Sequence, residues 1–229
     1  KETNFGVDLG LYKDRVYISA DYYDIKTEGF LAGLPLPSTS GFGSILSNLG
    51  SIQNKGFEIE LALKNVFNGK DFQWDANFNF TKNRSKVLDL AAESGFIRPG
   101  AIARAFTETR VGEEIGLYRG FQVTGLFTQA EINDPKVPKY VGALEGSLKY
   151  VDGNKDGKLG DEEDFLIIGN PNADFTYGMV HNFKYKNLDL TLIFAGSKGQ
   201  QIFNGTNQFN GNQDGVFNVD RRQLNRWRP

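Results

Sequence analysis

Phe72-Gln73-Trp74-Asp75-Ala76-Asn77-Phe78-Asn79-Phe80 sets an apolar residue at every second position and a polar one between. Successive side chains of a strand point to opposite faces, so this run predicts a β-strand with one apolar and one polar face. Seven further stretches read the same way, some more weakly. Phe5, Val7, Leu9 and Leu11 alternate with Gly6, Asp8 and Gly10, and Val16, Ile18, Ala20 and Tyr22 with Tyr17, Ser19, Asp21 and Tyr23. Phe57, Ile59, Leu61 and Leu63 alternate with polar residues that include Glu58, Glu60 and Lys64. Residues 102–110, 117–127, 175–184 and 188–195 complete the set.

The connections carry a second pattern. Lys13-Asp14, the Val66 to Asp71 segment with its Asn68-Gly69 turn signal, Val111 to Gly116, and Tyr185 to Asn187 are short. Residues 27–55, 84–101, 128–174 and everything after 196 are long. Short turns alternating with long loops are what a membrane β-barrel has, with turns on the periplasmic side and loops outside. The reading is therefore all-β: an antiparallel transmembrane β-barrel segment with short periplasmic turns and long extracellular loops. A soluble, secreted, calcium-stabilised β-sandwich binding module is the alternative, and it requires the apolar faces to be buried against each other.

Composition agrees with strands and turns. Gly is abundant at 27 residues and Phe at 19, with 9 Tyr, while Met and Trp number 1 and 2. No Cys is present, which excludes disulfides, thiolate catalysis and Cys-based zinc sites. The formal net charge of -2 gives no electrostatic case for nucleic acid. No apolar run is long enough for a transmembrane helix. Mean hydropathy is -0.41, a value that does not argue against a barrel, because lipid-facing and lumen-facing residues average out. The first residue is Lys1, and the expectation is that residues 1–229 form part of a longer polypeptide.

One loop carries site chemistry. Asp152, Asn154, Asp156, Gly157, Lys158, Gly160 and Glu163 fit positions 1, 3, 5, 6, 7, 9 and 12 of a calcium loop. Asp152, Asn154 and Asp156 would each supply a side-chain oxygen, Lys158 its carbonyl, and Glu163 one or both carboxylate oxygens. Water would fill the place at Gly160, and Asp161 and Asp164 are alternative ligands. The flanks read as extended, so an isolated loop binding Ca2+ in a structural role is expected, with no paired EF-hands. The plain alternative is a solvated Asp/Asn/Gly turn.

Other features favour bland readings. His181, the sole His, shares strand parity with Tyr177, Met179 and Phe183 and reads as packed. Glu113-Glu114 reads as a solvated turn. Arg221, Arg222, Arg226 and Arg228 form a small basic cluster suited to phosphate or lipopolysaccharide, or simply to water. Phe30, Leu31, Leu34, Leu36, Phe42, Ile45, Leu46 and Leu49 make an apolar loop that should pack into a barrel mouth or against a partner protein.

The order of short motifs resembles the C-terminal part of SusC/RagA-like TonB-dependent outer-membrane transporters of Bacteroidota. The resemblance rests on Asp21-Tyr22-Tyr23-Asp24-Ile25-Lys26-Thr27, Asn48-Leu49-Gly50, and Asn54-Lys55-Gly56-Phe57-Glu58. It continues through Phe72-Gln73-Trp74, Asn83-Arg84-Ser85-Lys86-Val87, Gly116-Leu117-Tyr118-Arg119-Gly120-Phe121 and Gly125-Leu126-Phe127. Asp152-Gly153-Asn154-Lys155-Asp156-Gly157, Ile168-Gly169-Asn170-Pro171, Asp174-Phe175-Thr176-Tyr177-Gly178 and Asn225-Arg226-Trp227 complete it. Thr124 stands where the family often has Asp, and Leu188 where it often has Phe. The resemblance implies an active importer of oligosaccharides or peptides in a Gram-negative outer membrane, with no enzymatic activity. It implies a SusD-like lipoprotein partner, contact with outer-membrane lipid, and energy from TonB through a plug region carried by the rest of the parent.

Overall fold

The computed structural model describes residues 1–29, 31–35, 38–48, 50–90, 95–98, 101–102, 105–160, 162–211, 218–225 and 227. They form two compact units. The first comprises Lys1–Ile97, Thr109–Ile115 and Asn172–Gln201; the second comprises Arg98–Glu108, Gly116–Pro171 and Ile202–Pro229.

The first unit is built on one antiparallel sheet of 6 strands. In chain order these are β1 (Glu2–Leu11), β2 (Val16–Glu28), β3 (Ser51–Asn68), β4 (Phe72–Asp89), β5 (Phe175–Tyr185) and β6 (Leu188–Lys198), and they lie side by side in that order. Register keeps the apolar residues of one face in line across all of them. Leu9, Ile18, Leu61, Phe78, Met179 and Phe194 form one row, and Leu11, Val16, Leu63, Ala76, His181 and Leu192 the next. A one-residue slip at any strand would mix the two faces, so the period-2 pattern fixes the pairing. On the opposite face one row reads Gly6, Asp21, Glu58, Thr81, Thr176 and Ser197, and the next reads Asp8, Ser19, Glu60, Asn79, Gly178 and Ala195.

The apolar face is open. Phe5 is 69% exposed, Leu9 47%, Ile59 42% and Phe194 51%. A sandwich would bury these positions in a core, so the sandwich alternative fails on the side chains it depends on. Two chains of aromatic contacts bound this face. At the short-turn end Phe67, Phe72, Trp74 and Phe183 lie ring against ring at 5.5 to 6.2 Å. At the long-loop end Phe57, Phe80, Phe175 and Tyr177 do the same at 5.2 to 6.3 Å. Aromatic girdles at both interfaces are the mark of a lipid-facing barrel wall.

The hairpins are staggered. The row through Val16 and Leu63 lies beside the β1–β2 turn, yet β3 and β4 run past it to Asn68 and Phe72, and β5 runs on to Tyr185. The β3–β4 and β5–β6 hairpins end level with each other, Phe72 opposite Tyr185, so the stagger is a single step past the β1–β2 turn, in the sense that tilted barrel strands require. The register of β3 against β4 shifts twice, between Ser51 and Ile52 and between Leu63 and Phe67. The second is a bulge. There Asn65 takes a left-handed φ of 53°, and its amide donates to Asp75 Oδ1 at 2.6 Å.

Two of the eight sequence-predicted strands leave this sheet. Residues 102–110 and 117–127 form short pieces, Ala101–Ile102, Ala105–Arg110, Leu117–Gly120 and Val123–Leu126, that pair elsewhere. The alternation of short and long connections therefore holds for six strands, and residues 90–174 form a single excursion between β4 and β5. The turn around Glu113 is no barrel turn: its backbone bonds Val87 through Val87 N to Glu113 O and Gly112 N to Val87 O. Periodicity describes a strand's faces but not its partner, which is why these two stretches misled. The strands β3 and β4 also extend well past the bilayer's need of about ten residues. Their outer ends carry polar side chains on both faces, pairing Gln53, Asn54 and Lys55 with Lys86, Ser85 and Arg84.

The second unit has its own small core, where Leu117, Phe127, Leu159 and Phe165 are buried. Leu117–Gly120 pairs with Leu166–Gly169, and Val123–Leu126 pairs with Leu148–Tyr150 across a bulge at Gly125. The helix Gln129–Asn133 begins with a capping box, Thr128 Oγ1 accepting from Glu131 N while Glu131 accepts from Thr128 N.

Candidate functional site

Inside a barrel wall the polar face is the working surface, and here it is lined with carboxylates, hydroxyls and amides. Tyr17 donates to Asp8 at 2.7 Å, Tyr23 to Asn83 Oδ1 at 3.2 Å, and Thr191 to Asn182 Oδ1 at 2.9 Å. Glycine makes room for one of these contacts: a Cβ at Gly56 would stand 2.5 Å from the Tyr23 hydroxyl. These groups can hold a polar solute by hydrogen bonding.

The acidic loop folds around its own amides. Asp152 accepts from Asp156 N at 3.2 Å and Gly157 N at 2.9 Å, Asn154 Oδ1 from Asp156 N at 3.1 Å, and Asp156 from Lys158 N at 2.8 Å. Glu163 reaches back to accept from Asn154 Nδ2 at 3.1 Å. Asp152, Asn154, Asp156, Lys158 and Glu163 thus sit on one closed turn. Gly157 takes the left-handed φ of 83° that its place at the tight turn demands. Among the described residues no group of three or more His, Asp or Glu side chains is gathered as a metal cage. Among the described residues Asp164 is the most deeply held acid of the loop: it is buried and accepts from Gly153 N at 3.0 Å and Gly160 N at 2.9 Å. Asp161 lies outside the described residues.

Beside this loop, in the same unit, is a cleft of about 560 Å³ lined by Phe121, Tyr140, Tyr150, Leu159, Lys139 and Lys158. Phe121 and Tyr150 stack at 4.6 Å, and Tyr140 lies 5.6 Å from Tyr150. Sequence reading missed it, since its aromatics come from three separated segments.

Sequence reading also missed a buried ion cluster. The Glu108 carboxylate is fully enclosed, with Oε2 2.7 Å from Arg98 Nε and Oε1 2.8 Å from Arg119 Nε. Arg98 continues to Glu162 at 2.6 Å, and Arg119 Nη1 donates to the Phe165 carbonyl at 3.4 Å. The one available signal was a charged residue at an inward position of a short strand. In the second unit, Lys149 and the Thr128 amide hold the Glu131 carboxyl down at about 2.

The remaining candidates resolve as follows. His181 is packed: Trp74 Nε1 donates to its Nδ1 at 3.4 Å, and the rings of Phe78, Phe183 and Phe194 surround it. Glu114 is more than a solvated turn residue, because Arg84 pairs with it at 3.3 Å. Arg222 is occupied by Asp220 at 2.7 Å, while Arg226 and Arg228 lie outside the described residues. In the apolar loop, Leu31–Pro35 pairs with Ser44–Asn48, and Phe42 and Ile45 are exposed. Phe30, Leu36 and Leu49 lie outside the described residues.

Known proteins share this arrangement. The family model described as TonB dependent receptor-like, beta-barrel, matches residues 1–227. TonB-dependent receptor P3 of Formosa agariphila is 34% identical, with the match covering 100% of this chain and 23% of that protein. The TonB-dependent receptor SusC of Bacteroides thetaiotaomicron is 24% identical over 93% of this chain and 21% of its own length. Among solved structures, that of the RagAB peptide transporter superposes with a TM-score of 0.80 at 22% identity, covering 99% of this chain and 24% of that one. The chain thus spans about a quarter of the length of the relatives it matches.

Proposed function

The chain belongs to the TonB dependent receptor-like β-barrel family, and from that premise we propose that it forms part of the wall and outer loops of a SusC-like active importer in a Gram-negative outer membrane. The carrying observation is the two-faced sheet: apolar rows framed by aromatic girdles on one side, and on the other a face that carries the sheet's Asp, Glu, Ser, Thr and Asn side chains among small and a few apolar residues. Lipid meets the first and cargo passes the second. The parent takes energy from TonB through its plug region and works with a SusD-like surface lipoprotein, for which the exposed Phe42 and Ile45 offer apolar contact. The cargo is an oligosaccharide or peptide too large for porins. The hydrogen-bonding groups of the polar face suit either, and so do the stacked rings and lysines of the cleft at Phe121 and Tyr150. Holding such a cargo needs shape and hydrogen bonds, without bond-making chemistry.

Calcium belongs to the same proposal. Ca2+ would take side-chain oxygens of Asp152, Asn154, Asp156 and Glu163 and the Lys158 carbonyl, stiffening the loop beside the cleft. The support is the ordered turn those residues already form.

The test is extraction of the intact parent from outer membranes with mild detergent, followed by intact mass, identification of co-purifying proteins and uptake assays with labelled oligosaccharides and peptides. A parent several times heavier than 25.5 kDa, bound to a lipoprotein and competent for uptake only with TonB, is the expected result. A soluble 25.5 kDa chain overturns it. Terbium luminescence, displaced by Ca2+ and lost in Asp152→Asn with Asp156→Asn, tests the metal separately.

A further inference from the structure

The lipid-facing side of the sheet changes character abruptly at its long-loop end. On β4 the residues of that face read Phe78, Phe80, Lys82, Arg84 and Lys86 in succession. Lys82 stands opposite Phe57, and Lys198 stands opposite Phe175, so both lysines adjoin the aromatic girdle formed by Phe57, Phe80 and Phe175. Lys86 follows two rows farther out, opposite Gln53, which in turn faces Lys26.

The neighbouring charges are already satisfied. Arg84 is held by Asp174 and Glu114, Lys55 by Asp24 at 3.0 Å, and Lys26 by Glu28 at 2.7 Å. Lys82, Lys86 and Lys198 are exposed and in no salt bridge among the described residues. On β4 the turn-side girdle is followed by no lysine: beyond Trp74 and Phe72 the same face ends at the turn.

We propose that Lys82, Lys86 and Lys198 form a docking surface for the phosphate groups of outer-leaflet glycolipid. Two observations select a lipid over a soluble anion. The lysines continue the apolar face that lipid chains cover, and they begin where an aromatic girdle marks the interface. Long lysine stems can lie along the aromatic rim while their ammonium groups reach the headgroup level. A juxtamembrane cation near an anionic leaflet is attracted appreciably by each phosphate it meets. Asp174 lies within electrostatic reach of Lys82 and Lys198 as well as bonding Arg84, but Arg84, Lys82, Lys86 and Lys198 outnumber Asp174 and Glu114, so the row keeps a net positive charge. This inference rests on the membrane-wall reading given above.

The experiment uses the intact parent receptor. Membrane fractionation first establishes that each form is assembled in the outer membrane. Purification in mild detergent and native mass spectrometry then count retained phosphorylated glycolipid. The triple variant Lys82→Gln, Lys86→Gln, Lys198→Gln should assemble normally and retain less by about tenfold. The triple Lys→Arg variant should retain it, as should Lys64→Gln, Lys184→Gln, Lys186→Gln at the other end of the sheet. Equal retention in the Gln triple and the wild type overturns the inference alone, as does a membrane-assembled wild type that carries no such lipid. A wild type absent from the membrane fraction overturns the membrane reading and this inference together.

Discussion

Gly153 and Asp164 close the acidic loop against each other: the Gly153 amide donates to Asp164 Oδ1 at 3.0 Å, and a Cβ on Gly153 would stand 2.7 Å from the Asp164 carbonyl oxygen. The position therefore accepts only glycine without a backbone shift. Gly153→Ala should destabilise the loop by about 1–3 kcal/mol. Limited proteolysis of the intact receptor should show faster cleavage within residues 148–169, with the barrel unaffected. An unchanged digestion rate would mean that Asp164 is not the latch.

The two faces of β4 should respond oppositely to one charge. Phe78→Lys sets an ammonium in the apolar row between Leu61 and Met179 and should cost about 2–4 kcal/mol. Asn77→Lys, one residue away on the polar face, should be mild. Heat-modifiable gel mobility and the yield of membrane-assembled receptor read the difference. Equal losses at both positions would contradict the assignment of faces.

Removing the Glu108 carboxylate takes away the enclosed anion that sits between the Arg98 and Arg119 guanidinium groups, of which Arg98 keeps Glu162. Glu108→Ala should cost about 3–5 kcal/mol, seen as faster amide hydrogen exchange across residues 105–120. Combining Glu108→Leu with Arg119→Met should recover part of that loss, because the burial cost of both charges disappears together. Full exchange protection in Glu108→Ala would show that the cluster contributes little.

Glu131 supplies a pH dependence with a definite sign. Its carboxyl sits at about 2 in the folded loop against an ordinary value of 4.5, chiefly because Lys149 bonds it. The contribution is complete above pH 4.5 and fades as pH falls toward 2, when the carboxylate takes up a proton. Hydrogen exchange at the helix Gln129–Asn133 should accelerate over that window. In Lys149→Gln the onset should move to higher pH, and an identical profile in both forms would remove Lys149 as the cause.

Much of this was written in the amino-acid order. The alternation of Phe72 to Phe80 fixed the strand, its faces and, with Leu61 and Met179 in line, its neighbours' registers. The acidic loop was legible because its turn residues are local: Asp152 reaches amides only a few positions away. Glu108 was not legible, since its partners Arg98 and Arg119 approach it from two separate segments. The bulge at Asn65 escaped for the same reason, its amide being held by Asp75 across the hairpin. The strand-like stretches at 102–110 and 117–127 possessed the right period, but pairing partner is a property of the whole chain.

Consider finally that β4 finds β5 only after residues 90–174 have passed. Closing a loop of that length costs roughly 3 kcal/mol more entropy than closing the short turn at Lys186-Asn187. The hairpins β1–β2, β3–β4 and β5–β6 can each zip from a tight turn, while the β4–β5 seam must await a distant encounter. By loop-closure entropy that seam is the costliest of the sheet's pairings to form, and until it closes the edges of β4 and β5 stay open to a foreign strand.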